Sequence, residues 1–418
     1  MFYYVIELLN SNKKFPFYFI TPLAYSYGNA AEQIYLVSAE NSIKKKIVIL
    51  NNNYLTKLLK YRTANKNLFS DLVINGHDQN EIKLLRFIFS FLFFIEFFLR
   101  RLFVIYIFDL LKIKINELKR FPYIGIEKII CYNKKFNFEN VDAINLEQSK
   151  INLNLNIIIQ CQLLIKKYNP NNRKIVTIHV RDSMYKTDSF KRNYRNSNIN
   201  NCVELIKFLI SRDYIIFRLG TNPCNEVNFN DKNFIDYAKL DIQSSRLDLF
   251  LIEQSDFFIG TGSGPRAVAE MFSKPLLILN SDDFSDIPLK KMDRVLYKNF
   301  FSKKDFDSYS KALSVMKLLE LDYNFYDPEL YLQDFILKEN TEEEILNAGK
   351  EFVSNLKTKN FLLSKEQNQF NKLLKKKIQY FYTENNNNTV KYHIESLRYI
   401  KRCKSMEGSI CKSYFTKY

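Results

Sequence analysis

"DFFIGTGSGPRAVAEMFSKPLLILN", residues 256–280, decides how the chain is read. The apolar run Phe257 to Gly260 leads into Thr261-Gly262-Ser263-Gly264. A segment with apolar residues at helical spacing then opens on Pro265 and is followed by the apolar run Leu276 to Leu279. Proline is favoured at the first helical position, where its missing N–H costs nothing. Apolar strands joined through a helix pair side by side and parallel, so the segment predicts one βαβ unit of a covered parallel sheet. Three of the chain's 9 glycines, Gly260, Gly262 and Gly264, fall within five residues here. Glycine lets backbone approach a ligand closely. The amides of Thr261 to Gly264 would stand at a helix N-terminus, where an anion is stabilised, with the Thr261 and Ser263 hydroxyls as further donors. The loop is not a Walker loop, since no Lys-Ser/Thr pair follows, and G-x-G-x-G is not the dinucleotide fingerprint. The plainer reading is a tight turn that needs glycine for its dihedrals. The concentration of glycine in a glycine-poor chain favours a ligand site.

Upstream, "KIVTIHVRDSMY" (174–185) reads as a buried strand that ends in His179, Val180, Arg181 and Asp182. His179 and Arg181 share one face, because side chains alternate along a strand. A guanidinium at a strand end presents a planar fork of donors suited to phosphate oxygens. The following loop carries Tyr185, Arg192, Arg195 and Asn196, and the next strand, "YIIFRLG" (214–220), places Arg218 near its end. The plainer reading pairs Arg181 with Asp182 and satisfies His179 in the core. Taken with the glycine loop, three strand ends converge on one anion, and a diphosphate site is expected.

The first half repeats the alternation less clearly. "FPFYFITPLA" (15–24) reads as a strand, "YSYGNAAEQ" (25–33) as a loop with Gly28, Asn29 and Glu32, and "KIVILNNN" (46–53) as a second strand. A facing lobe would set this loop opposite Arg181, as an acceptor or cleft loop. "DLVINGHD" (71–78) and "YIGIEKIICY" (123–132) are further strand candidates, and 144–168 reads as helical. "NPNN" (169–172) is a turn cluster and the expected boundary. Thr341 and Glu344 form a capping-box pattern that starts a helix. The expected architecture is α/β, with two facing Rossmann-like lobes (1–168 and 169–340) and a helical basic extension (341–418).

With 62 Lys+Arg against 45 Asp+Glu the formal charge is +17, which favours anionic partners. The cations are dispersed, with short clusters at Lys44–Lys46 and Lys375–Lys377 and no zinc-finger spacing or RNA-recognition motif, so nucleic acid is not expected. Six scattered cysteines without a C-x-x-C pair suit reduced thiols, and "MFYYVIELLNSNKKF" at the start is no secretory signal, so a cytoplasmic protein is expected. In the segment 86–111, Arg86, Ser90, Glu96, Arg100 and Arg101 fall within an arc of roughly 140° at 100° per residue. That pattern fits a core-lining helix and equally a helix lying at the inner face of an anionic membrane.

Together, the H-x-R strand end and the late "FFIGTGSG…A…KP" unit resemble GT-B glycosyltransferases. The H-V-R element is similar to the first motif of GDP-fucose-dependent fucosyltransferases, although Asp182 stands where that motif usually carries a second basic residue. "HVRDSMY…YRNSNI…YIIFRLG" with "ENTEEEI" resembles a family of bacterial surface-polysaccharide glycosyltransferases over about residues 170 to 350, and "YGNAAE" extends the likeness into the first half. The resemblance implies metal-independent transfer of a sugar from a nucleotide-diphosphate donor to a glycan or lipid-linked acceptor, with no further cofactor. It implies Arg181 on the donor's β-phosphate, Thr261 to Gly264 on phosphate or ribose oxygens, and His179 in support. For a general base the residues leave Asp182 and Glu32 open. An epimerase or hydrolase of the same fold, or a non-catalytic anion- or membrane-binding protein, is the alternative.

Overall fold

The computed structural model of the chain describes residues 17–20, 27–40, 45–48, 70–79, 84, 87–88, 91–92, 95, 143, 149–182, 190–221, 224–282, 284, 286–303, 312–321, 328–383 and 401–417. In chain order these form β1 (Phe17–Ile20), α1 (Tyr27–Glu40), β2 (Lys45–Val48), β3 (Leu72–Ile74), β4 (His77–Asp78), β5 (Ile151–Leu153) and α2 (Leu155–Ile165). Then come β6 (Lys174–His179), α3 (Val203–Ser211), β7 (Tyr214–Arg218), β8 (Phe234–Ile235), α4 (Ser245–Gln254), β9 (Phe257–Gly260), α5 (Gly264–Met271) and β10 (Leu276–Ser281). The remainder is β11 (Arg294–Tyr297), β12 (Asn299–Ser302), α6 (Val315–Glu320), α7 (Pro328–Asp334), β13 (Phe335–Lys338), α8 (Glu342–Thr358), α9 (Lys365–Thr383) and β14 (Ser409–Ile410).

A seven-stranded sheet in the order β14-β11-β10-β9-β6-β7-β8 organises the molecule. Every neighbouring pair in it is parallel. Strands buried on both sides read as continuous apolar runs, and β9 and β10 are buried at every position. The chain starts at β6, moves one way through β7 and β8, then returns to the other side of β6 as β9 and continues outward. The strand order therefore reverses between β6 and β9, and in open α/β sheets ligands bind outside the carboxyl ends of the strands at that point. α8 packs on α3, while α4 and α5 touch each other.

The described part of the first half does not form a second large sheet. β1 and β2 pair parallel, as the β-loop-α-β reading expects. Residues 71–78, expected as one strand, instead make a hairpin at Asn75 (φ 50°) and Gly76 (φ 83°), the left-handed pair that a tight two-residue turn demands. β5 adds antiparallel to β3. The helix expected over 144–168 includes this strand, and Asn154 caps α2 by accepting from the Asn156 amide. The turn at 169–172 is present: the Asn169 side chain bonds both the amide (2.8 Å) and the carbonyl (2.9 Å) of Arg173. The elements before it nonetheless pack directly on those after it, α1 on α5 and α2 on α4.

The described residues 341–383 and 401–417 pack on or join the same sheet. Thr341 and Glu344 make the full capping box, α8 packs on β10 and β11, and β14 pairs with β11 as the seventh strand. The five described cysteines, Cys161, Cys202, Cys224, Cys403 and Cys411, are free thiols. The strand expected at 123–132 lies outside the described residues. No helix among the described residues is long and apolar enough to cross a membrane.

Candidate functional site

His179 on β6 stands in register with Gly260 on β9, and the site grows from that pair. A Cβ at 260 would collide with the His179 carbonyl, so the strand junction requires glycine. One step on, the Thr261 amide donates to the same carbonyl (3.1 Å), and the Arg181 amide donates to the Thr261 hydroxyl (3.1 Å). The two chains are thus laced together beyond the end of the sheet. Ser263, the cap residue of α5, sets its hydroxyl 3.0 Å from Nδ1 of His179. Burial lowers the His179 pKa to about 4 against the upward pull of Asp182, with Arg218 and Arg181 acting in the same direction as burial. At neutral pH the ring is uncharged, and its Nδ1 pairs with the Ser263 hydroxyl.

Two guanidinium groups close on this junction. Arg181 donates from Nε to Asn196 Oδ1 (3.2 Å), and its carbonyl accepts from the Ser197 amide (2.8 Å). Asn196 follows the 3-10 turn Phe190–Arg195. Arg195 at the end of that turn donates from Nη2 to the Gly262 carbonyl (2.7 Å), and its Nε lies 3.9 Å from Asp282 Oδ2. Arg181 and Arg195 are both half-buried. With the first amides of α5, which lack intrahelical acceptors, they gather positive potential where the strand order reverses. An anion would be stabilised there.

Other residues expected in the site are placed elsewhere. Arg218 is buried and holds Asp236 through two bonds (3.2 and 3.3 Å), with Asp182 3.8 Å away on its other nitrogen. It is thus committed to carboxylates of the protein rather than to a donor. Asp182 also accepts from the Asn225 amide (3.0 Å), so its carboxylate orders the loop after β7. Glu32, expected at a cleft, is buried under Arg402, whose Nη1 lies 2.6 Å from Glu32 Oε1. Gly28 and Asn29 lie in the first turn of α1, not in a loop. A Cβ at 28 would come 3.1 Å from the Gly264 Cα and 3.7 Å from the Ala267 Cβ. Gly28 lets α1 lie directly on α5, and burial of Ala30 and Ala31 accompanies the helix where Gly-Asn alone prefers a turn.

The glycine loop consequently has a packing reason at each position. Gly260 admits the His179 carbonyl, and the Gly264 Cα lies against Gly28 of α1. A Cβ at Gly262 would collide with the carboxylate of Asp286, a buried group held by Ser281 Oγ (2.9 Å) and by Arg266, whose Nη2 is 3.5 Å away. The plainer reading of the three glycines thus accounts for their identity. What points to a ligand is the convergence of Arg181, Arg195 and the α5 N-terminus at the reversal of strand order. Asp282, Asp286 and Lys298 also adjoin the site. Asp282 stands in the acidic "SDD" at 281–283, which begins at the end of β10, whereas Lys298 carried no signal in the sequence, since the carbonyls it holds lie 102 and 104 residues away.

No protein-family model matches the chain, and no curated protein matches it. Among solved structures, the crystal structure of the glycosyl transferase family 9 protein from Veillonella parvula DSM 2008 is similar, with 10% identity and a TM-score of 0.30. The match covers 49% of this chain and 54% of that one, about half the length of each. A likeness of that size carries no inference about activity.

Proposed function

We propose that the chain is a glycosyltransferase whose donor is a nucleotide-diphosphate sugar, bound with its diphosphate between the ends of β6 and β9. The observation that carries this reading is the meeting of Arg181, Arg195 and the N-terminus of α5 at the reversal of strand order in a Rossmann-ordered sheet. As the glycosidic bond breaks, negative charge grows on the leaving diphosphate. Preorganised guanidinium groups and helix amides stabilise that charge more in the transition state than in the ground state. In this reading the reaction needs no metal, the donor is GDP-linked, and the acceptor is a glycan or lipid-linked sugar of a surface polysaccharide. For a general base this reading keeps both Asp182, whose carboxylate accepts from the Asn225 amide, and Glu32, which pairs with Arg402.

A peripheral contact with anionic membrane belongs to the same proposal. The helical residues Leu84, Phe87, Ile88, Phe91, Leu92 and Ile95 are all exposed, and the chain carries +17. Such a surface would bring a lipid-linked acceptor to the enzyme.

A thermal-shift series with GDP, UDP, CDP, ADP and dTDP tests the donor site. At roughly 30-fold over the dissociation constant, the bound diphosphate stabilises the fold by about 2 kcal/mol. GDP is expected to respond most strongly, and Arg181→Ala to lose the response. Stability unchanged by all five nucleotides would overturn the reading.

A further inference from the structure

Lys298 lies between β11 and β12 and is 3% exposed. Its amide is fixed to the Ser281 carbonyl at the end of β10 (2.9 Å). Its Nζ donates to two backbone carbonyls, Tyr194 and Asn196, each at 2.7 Å. Those two carbonyls flank Arg195, and Asn196 is the residue whose side chain holds Arg181 Nε. The exit of the same turn is gripped from β13's far end, where Glu339 accepts from the Asn198 amide (2.7 Å) and from Asn201 Nδ2 (3.1 Å).

A buried amine is a costly way to stabilise a fold. Burial disfavours its charge, with Glu339 and Asp282 pulling the other way. A well-packed apolar side chain in such a place is often no less stable. The return on Lys298 is therefore geometric. A 3-10 turn has poor internal hydrogen bonding and does not hold a fixed shape alone. Pinned at 194 and 196, this one presents Arg195 to the Gly262 carbonyl and the Asn196 side chain to Arg181.

We infer that Lys298 is a positioning residue that sets both Arg181 and Arg195 for an anionic diphosphate, acting through the 194–196 backbone without contacting the ligand. This rests on the donor-site reading above, and its test separates the two. The Arg181 Nε–H resonance of ¹⁵N-labelled protein is observed without ligand, alongside titration of GDP and of inorganic pyrophosphate, in the wild type, Lys298→Met and Lys298→Arg.

In the wild type the Nε–H is expected to be protected from solvent exchange by its bond to Asn196. Lys298→Met is expected to lose that protection and to bind both probes on the order of 10- to 100-fold more weakly, while Lys298→Arg restores part of each. An Arg181 signal unchanged in folded Lys298→Met overturns the inference, whatever GDP does. Loss of the signal, in a protein whose wild type binds neither probe, supports the positioning role and removes the donor-site reading instead. Should Lys298→Met fail to fold, Lys298→Leu and Lys298→Gln remove or weaken the same two bonds to the Tyr194 and Asn196 carbonyls. Arg181 protection retained in both would then overturn it.

Discussion

A histidine held at a pKa of about 4 ties stability to pH in a definite direction. The unfolded chain protonates His179 near its ordinary value of 6.5, while the folded protein does not until about 4. Between those values the unfolded state binds more protons, so this contribution is fully present above 6.5 and is lost as the pH falls toward 4. The shift corresponds to about 3 kcal/mol, and partial solvent access to the ring trims it to about 2. Asp248, raised to about 7, and Asp293, raised to about 6, both by burial, work the other way, favouring the fold as the pH falls. Urea unfolding of the wild type and His179→Asn at pH 7 and pH 4.5 isolates the histidine. The variant is expected to lose about 2 kcal/mol less on acidification; equal losses would mean that His179 charges freely in the folded protein.

At the scale of elements, contact surfaces explain where propensity misleads. α1 begins on a Tyr-Gly-Asn sequence that reads as a turn, yet Gly28 against Gly264 lets two helices meet closely enough to bury Ile34 and Tyr35 completely. The hairpin at Asn75-Gly76 was legible in principle, because that dipeptide is the usual signature of a two-residue turn. The exposed apolar residues at 84–95 recur every three or four positions, with Phe87 and Phe91 stacked at 6.5 Å between ring centroids. Phe87→Ser with Phe91→Ser is expected to reduce co-sedimentation with phosphatidylglycerol vesicles by on the order of 10-fold or more, while nucleotide binding is unaffected. Equal sedimentation of variant and wild type would remove the membrane contact from the proposal.

Across the whole molecule, one buried arginine joins three distant parts of the chain. Arg402 is 1% exposed and bonds Glu32 on α1, both carboxylate oxygens of Glu270 on α5 (2.9 Å each) and the Ile287 carbonyl. Arg402→Met leaves buried Glu32 and Glu270 without their closest counter-charge, with Arg266 still 3.6 Å from Glu270, and is expected to cost about 3–5 kcal/mol in urea unfolding. A change under about 1 kcal/mol would show that water already reaches the network.

The amino-acid sequence by itself determined the succession of strands, glycine loop and helix from Lys174 to Asn280. It also determined which strand ends carry Arg181 and Thr261 to Gly264, because alternation and helical period are local properties. Strand order, and with it the crevice between β6 and β9, came only from the tertiary structure. So did the fates of Glu32, whose partner lies 370 residues away, and of Arg218, held by Asp236 and Asp182. A charge's role depends on what burial brings beside it, and spacing along the chain does not encode a partner supplied by another layer of the fold.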